Sequence, residues 1–104
     1  MATKLSPDQF KEALATDKGV LIDVRGASEV EAGYIDGAAN YDINNGDFAK
    51  AIGSFDKAMT YYLYCRSGAR SGKAADLLLQ AGFENVYNVG GFEELENAGF
   101  EVAY

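Results

Sequence analysis

Apolar residues along the chain gather in short dense runs separated by glycine and polar clusters. Val20-Leu21-Ile22-Asp23-Val24 is nearly unbroken and β-branched, the pattern of a central strand covered on both faces. Such a strand implies a parallel sheet. Thr60-Tyr61-Tyr62-Leu63-Tyr64 and Asn85-Val86-Tyr87-Asn88-Val89 are rich in strand formers and predict two more strands, and Gly37 to Asn40 predicts a short one. Helical segments alternate with them. Ser6-Pro7-Asp8-Gln9 opens a helix to about Ala15, with Ser6 as N-cap, Pro7 in the first turn and Gln9 as capping-box partner. Ser28 to Ala32 reads as a helical turn, and Asn44-Asn45-Gly46 as a turn into a helix from Asp47 to Ile52. Lys73 to Ala81 predicts a helix whose N-terminal end lies near Arg70, with Gly82 as its left-handed cap. Gly90-Gly91 reads as a turn before a last helix, Phe92 to Ala98. This alternation predicts an α/β fold: an open parallel sheet with helices on both faces.

Length adds that 104 residues suit one domain, with no repeat or linker to divide it. Charge narrows the partners. A net charge of −7 repels phosphate backbones and anionic lipid, so neither nucleic acid nor a membrane surface is expected as a partner. The Tyr61-Tyr62-Leu63-Tyr64 run is therefore read as core packing and not as a platform for bases. Leu77-Leu78-Leu79 is read as a buried helix face. No apolar run is long enough to span a bilayer and no secretory leader is evident, so a cytoplasmic location is expected. A single cysteine excludes an internal disulfide, and with no histidine a zinc site is not expected.

That cysteine carries the candidate chemistry. Cys65-Arg66-Ser67-Gly68-Ala69-Arg70 follows the end of a predicted strand and precedes a helix, the place where open α/β sheets bind ligands. Successive N–H groups curling around Cys65, together with the positive end of the helix, form an anion nest that favours thiolate. Gly68 supplies the positive φ that such a loop needs. Arg70, closing the loop, is expected to turn toward the anion, lowering the Cys65 pKa further. Arg66 reads equally as a solvated arginine or a ligand. Ser67 and Ser71 read equally as donors to an anion or as caps.

Leu21-Ile22-Asp23-Val24-Arg25, Glu29, Gly33-Tyr34-Ile35-Asp36-Gly37-Ala38-Ala39-Asn40, the Cys65 to Arg70 loop and Gly90-Gly91 together resemble the rhodanese family. The resemblance spans most of residues 20–99 and implies one rhodanese-like domain over residues 1–104. It implies a sulfurtransferase in which Cys65 is catalytic and carries sulfur from thiosulfate or a similar anionic donor, as a persulfide, to cyanide or a thiol. Arg66, Ser67, Gly68, Ala69 and Arg70 would bind substrate, no cofactor or metal would be needed, and the protein would be a monomer. Three positions depart from the family pattern: Tyr34 replaces a frequent histidine, Asp42 a frequent proline and Leu95 a common tryptophan. Asp23, Arg25 and Glu29 are read as a charged brace beside the site.

Two other readings compete. Cysteine phosphatases and arsenate reductases also cradle a thiolate between strand and helix, but they place one residue more between cysteine and arginine than the four between Cys65 and Arg70. A sulfur-delivery module, taking sulfur from one protein and passing it to another with little activity on small donors, is the alternative that the sequence leaves open. The acidic surface would suit a basic partner.

Overall fold

The computed structural model describes residues 2–104. Five strands form one parallel sheet, and their order places the cysteine near its centre. In chain order they are β1 (Thr3–Lys4), β2 (Val20–Asp23), β4 (Ala39–Asn40), β5 (Tyr61–Cys65) and β6 (Val86–Gly91), arranged β1-β6-β5-β2-β4. A separate antiparallel pair joins β3 (Tyr34–Ile35) to β7 (Val102–Ala103). The helices are α1 (Pro7–Thr16), α2 (Ala27–Glu31), α3 (Asp47–Ala51), α4 (Ala69–Gln80) and α5 (Phe92–Asn97), with a 3-10 turn over Ile52–Ser54.

The predicted α/β architecture is the one observed, and side-chain alternation on β5 explains it. Every residue of β5 is buried. Tyr61, Leu63 and Cys65 point to one face and pack with Phe48 of α3 and Ala74, Ala75 and Leu78 of α4. Tyr62 and Tyr64 point to the other, against Phe10 of α1 and Leu95 of α5. A strand apolar on both faces needs helices on both, as expected of parallel sheets. The tyrosines are core residues, and Leu78 is buried with Leu77 and Leu79 half-buried beside the core.

Local signals account for the element ends. Ser6 accepts from the Gln9 N–H at 3.2 Å, and Gln9 accepts from the Ser6 N–H at 2.8 Å, closing the predicted capping box of α1. Gly82, with φ +96°, follows α4 as predicted. Two differences from the sequence reading bear on the site. Helix α4 begins at Ala69, four residues before Lys73, so the cysteine loop runs directly into its first turn. Gly90-Gly91 is not a free turn but the end of β6, paired with Tyr64 and Cys65. A register shift after Leu63 inserts one extra residue in β6 and brings Gly91 opposite Cys65.

A buried polar group ties the two layers beside the site. The Tyr64 hydroxyl donates to Asp23 Oδ2 at 2.7 Å and accepts from the Ile35 N–H at 2.9 Å. Replacing Tyr64 by Phe keeps the ring but leaves the Ile35 N–H without its acceptor. We expect Tyr64→Phe to lose about 1–3 kcal/mol in urea unfolding, a cost set by the unpaired buried donor. An unchanged midpoint would mean that the hydroxyl contributes nothing net.

Candidate active site

Cys65 ends β5 at the carboxyl edge of the sheet and is itself buried, while Arg66 and Ser67, which follow it, are exposed. The loop doubles back so that the Gly68 N–H donates to Cys65 Sγ at 3.0 Å. Gly68 achieves this with φ +100°, the positive value predicted for it. The Ser71 hydroxyl lies 3.5 Å from the same sulfur. Burial pushes the Cys65 thiol up, but the Ser71 hydroxyl and the backbone N–H groups of Ser71, Ser67 and Gly68 outweigh it and hold the thiol below its ordinary value. The early start of α4 matters here, because it turns the Ser71 N–H, in the first helical turn, toward sulfur.

Glycines on β6 let this loop lie flat. A Cβ on Gly91 would stand 2.5 Å from the carbonyl oxygen of Arg66, and one on Gly68 would stand 3.4 Å from the Gly90 Cα. The double glycine therefore serves as a floor under the loop. Beside it, Asn88 of β6 donates through Nδ2 to the Gly68 carbonyl at 3.0 Å and accepts from Ser71 at 2.7 Å and from the Gly90 N–H at 3.1 Å. The sequence reading gave Asn88 no part in the site. The signal was a lone polar residue inside an otherwise apolar strand.

Arg70, expected to turn toward the anion, is engaged by Glu29. Its Nη1 and Nη2 donate to the two Glu29 carboxylate oxygens at 2.8 and 2.9 Å, a fork-to-fork pair between α4 and α2. Glu29 also accepts from the Gly26 N–H at 3.2 Å, so its preferred partners are all in place. The donors on Cys65 are thus backbone and hydroxyl groups, and Arg70 acts on the thiolate only through its nearby charge. Among the predicted loop residues, Gly68 donates its N–H to sulfur, and the Ser67 N–H helps hold the thiol below its ordinary value. Arg66 lines a cleft of about 270 Å³ with Arg25, Glu29, Ala32, Phe92 and Glu93, and Ala69 is exposed, lining a second cleft with Arg70 and Lys73.

The brace divides into two pairs. Asp23 and Arg25, both buried, pair through Nε and Nη2 at 2.8–3.0 Å, and Arg25 also donates to the Gly33 carbonyl at 2.7 Å. The Arg25 guanidinium lies 4.5 Å from the Phe92 ring centre, and Asn40 secures the same strand end by donating to the carbonyls of Asp23 and Arg25. Tyr34 sits in β3, Leu95 is buried in the core, and Asp42 accepts from the Asn44 N–H at 2.8 Å. Among the described residues no cluster of three or more His, Cys, Asp or Glu is placed to hold a metal ion. No helix among them is long and apolar enough to cross a membrane.

The family model for the rhodanese-like domain matches residues 6–98. The chain belongs to that family. Among curated relatives it is 41% identical over 91 residues to the uncharacterized protein YqhL of Bacillus subtilis, covering 86% of this chain and 69% of that one. It is 30% identical to the thiosulfate sulfurtransferase GlpE of Actinobacillus succinogenes, covering 98% of this chain and 93% of that protein. It is 36% identical to the tRNA uridine(34) hydroxylase of Cytophaga hutchinsonii, covering 84% of this chain but only 29% of that enzyme's length. A solution NMR structure of the rhodanese-like domain of the Anabaena sp. Alr3790 protein matches with a TM-score of 0.83 at 26% identity, covering 99% of this chain and 80% of that one. The rhodanese-like architecture expected from the sequence is therefore shown, and the relatives that share it include more than one activity.

The Glu29–Arg70 pair carries a pH signature. Arg70 pulls the Glu29 carboxyl down to about 2 from an ordinary 4.5. Because the folded value lies below the unfolded one, the pair's stabilisation is complete above pH 4.5 and is lost as pH falls through about 2. Both side chains are partly exposed, so the contribution at neutral pH is at most about 1 kcal/mol. Glu29→Gln should cost up to that amount in urea unfolding at pH 7, with the difference from wild type shrinking steadily below pH 4.5. A difference independent of pH would assign the loss to packing instead.

Proposed function

We propose that the protein is a sulfurtransferase that moves sulfane sulfur from thiosulfate or a similar anionic donor to cyanide or a thiol through a persulfide on Cys65. The observation that carries this reading is the convergence of N–H and O–H donors on a buried sulfur held below its ordinary pKa. Such a cradle stabilises negative charge on sulfur in the thiolate and the persulfide alike. The close agreement in length with the GlpE sulfurtransferase supports the same chemistry.

In the first half-reaction the Cys65 thiolate attacks the outer sulfur of thiosulfate. A sulfur–sulfur bond to Cys65 forms as the bond within thiosulfate breaks, and sulfite departs with the electron pair. In the second, cyanide or a thiolate attacks the outer sulfur of the persulfide, leaving as thiocyanate or a new persulfide and regenerating the Cys65 thiolate. Electrons balance without an outside oxidant. Backbone N–H groups of Ser67, Gly68 and Ser71 hold the sulfur anion, Arg66 and Ala69 border its approach, and Arg70 contributes positive charge while paired with Glu29. No metal or organic cofactor enters this scheme. We place the reaction in the cytoplasm, where a lone thiol stays reduced, and assign it to a monomer built as one rhodanese-like domain over residues 1–104.

A second reading makes the chain a sulfur-delivery module whose donor and acceptor are proteins. It is favoured by the chain's net charge of −7, which would suit a basic partner, and by the open cleft beside Arg66. Phosphatase or arsenate reductase chemistry finds less support, since the arginine closing the loop is engaged by Glu29.

The test is intact-mass measurement of reduced protein after incubation with thiosulfate, in wild type and Cys65→Ala, followed by cyanide. A gain of one sulfur on wild type alone, removed by cyanide as thiocyanate, is the expected result. Persulfide formation only with a protein donor would favour the delivery reading. No persulfide with either donor would contradict both.

A further inference from the structure

The Ser71 hydroxyl has one proton and two acceptors within reach. Asn88 Oδ1 lies 2.7 Å away and Cys65 Sγ 3.5 Å away. With a neutral thiol the proton belongs to Asn88, the closer and stronger acceptor. A sulfur anion reverses that preference, since a hydrogen bond to a charged acceptor is roughly twice as strong as one between neutral groups. The Asn88 carboxamide can release the proton cheaply, because its oxygen keeps the Gly90 N–H at 3.1 Å.

The orientation of that carboxamide is fixed from both ends. Nδ2 faces the Gly68 carbonyl, which also accepts from the Gly72 N–H, and Oδ1 faces the Gly90 N–H, so a flipped amide would set donor against donor and acceptor against acceptor. Asn88 is nearly buried, at 8% exposure, and Ser71 is fully so. Gly72 leaves the space this requires, since a Cβ there would lie 3.2 Å from Asn88 Nδ2. By gripping the Gly68 carbonyl, Asn88 fixes the residue whose N–H, in the preceding peptide unit, donates to sulfur.

We propose that Asn88 is a positioning residue for the sulfur cradle, and that the Ser71 hydroxyl turns from the Asn88 carboxamide to Cys65 sulfur whenever that sulfur becomes anionic. The proposal rests on Cys65 being the reacting residue, but its test reads the thiolate directly and is independent of sulfur transfer. Among the charged groups around Cys65, Arg66 follows it in the loop and is exposed. Arg70 on α4 is paired with Glu29 of α2, Asp42 acts on Arg70 from the loop after β4, Glu94 of α5 is bound to the Gly91 N–H, and β6 carries no charge.

Two measurements decide the matter. In the wild-type protein, the Asn88 side-chain amide resonances followed by NMR across pH should move with the midpoint at which iodoacetamide begins to alkylate Cys65. Amide resonances that stay flat through that midpoint would overturn the hydroxyl switch. In Asn88→Asp the carboxylate withdraws the Ser71 proton, loses the grip on Gly68 and adds negative charge near sulfur. All three effects have one sign, so the alkylation midpoint should rise by about one pH unit or more. Ser71→Ala should raise it less, and Asn88→Asp placed on Ser71→Ala should add less than it does alone. A folded Asn88→Asp variant with the wild-type alkylation profile would reduce Asn88 to a structural residue.

Discussion

A sulfur atom buried at the end of a central strand is ordinarily a poor anion, because burial disfavours charge. The rest of the structure is arranged around reversing that preference at Cys65. Reversal needs several donors converging on one atom, and a cysteine in a regular strand has none to spare. The chain supplies them by ending β5 at Cys65, turning through Gly68 and entering α4 at once, so that N–H groups left unpaired at a helix start face the sulfur. The tight turn in turn requires a neighbour without side chains, and the register shift in β6 places Gly91 there.

The charged residues near the site serve this geometry from a distance. Asp23, Arg25 and Tyr64 lock the end of β2 to β3, and Glu29 fastens the first turn of α4 to α2 through Arg70. Both pairs fix the frame in which the loop sits, and neither touches sulfur. That division suits the proposed reaction. An anionic donor meets a site in which Arg25 and Arg70 are already balanced by carboxylates, and the exposed Arg66 is the guanidinium it meets at the loop. Relatives that share the domain carry different names, as expected where one fold hosts several activities.

Much of the fold was legible because its principal strands are long enough to show a pattern. Val20 to Val24 and Thr60 to Tyr64 declared a buried parallel sheet by their unbroken apolar character, and Ser6 with Gln9 declared the start of α1. The two-residue strands β1, β3 and β7 were not legible, since two residues carry no periodicity and the β3–β7 partners lie far apart in the chain. Cys65 and Gly68 could be read from the loop itself. The engagement of Arg70 by Glu29 and the three hydrogen bonds of Asn88 could not, because they depend on which strands and helices become neighbours. Asn88 in particular looks like an ordinary strand residue until β5 and β6 are set in register.

The central claim is that donors around Cys65 outweigh its burial. The most direct measurement is the thiolate absorbance of the reduced protein in the ultraviolet, titrated across pH with Cys65→Ala subtracted to remove the tyrosine signal. The account predicts a midpoint below that of an ordinary cysteine, about 8.5. A midpoint at or above that value would mean that burial prevails and that the loop is not an anion cradle.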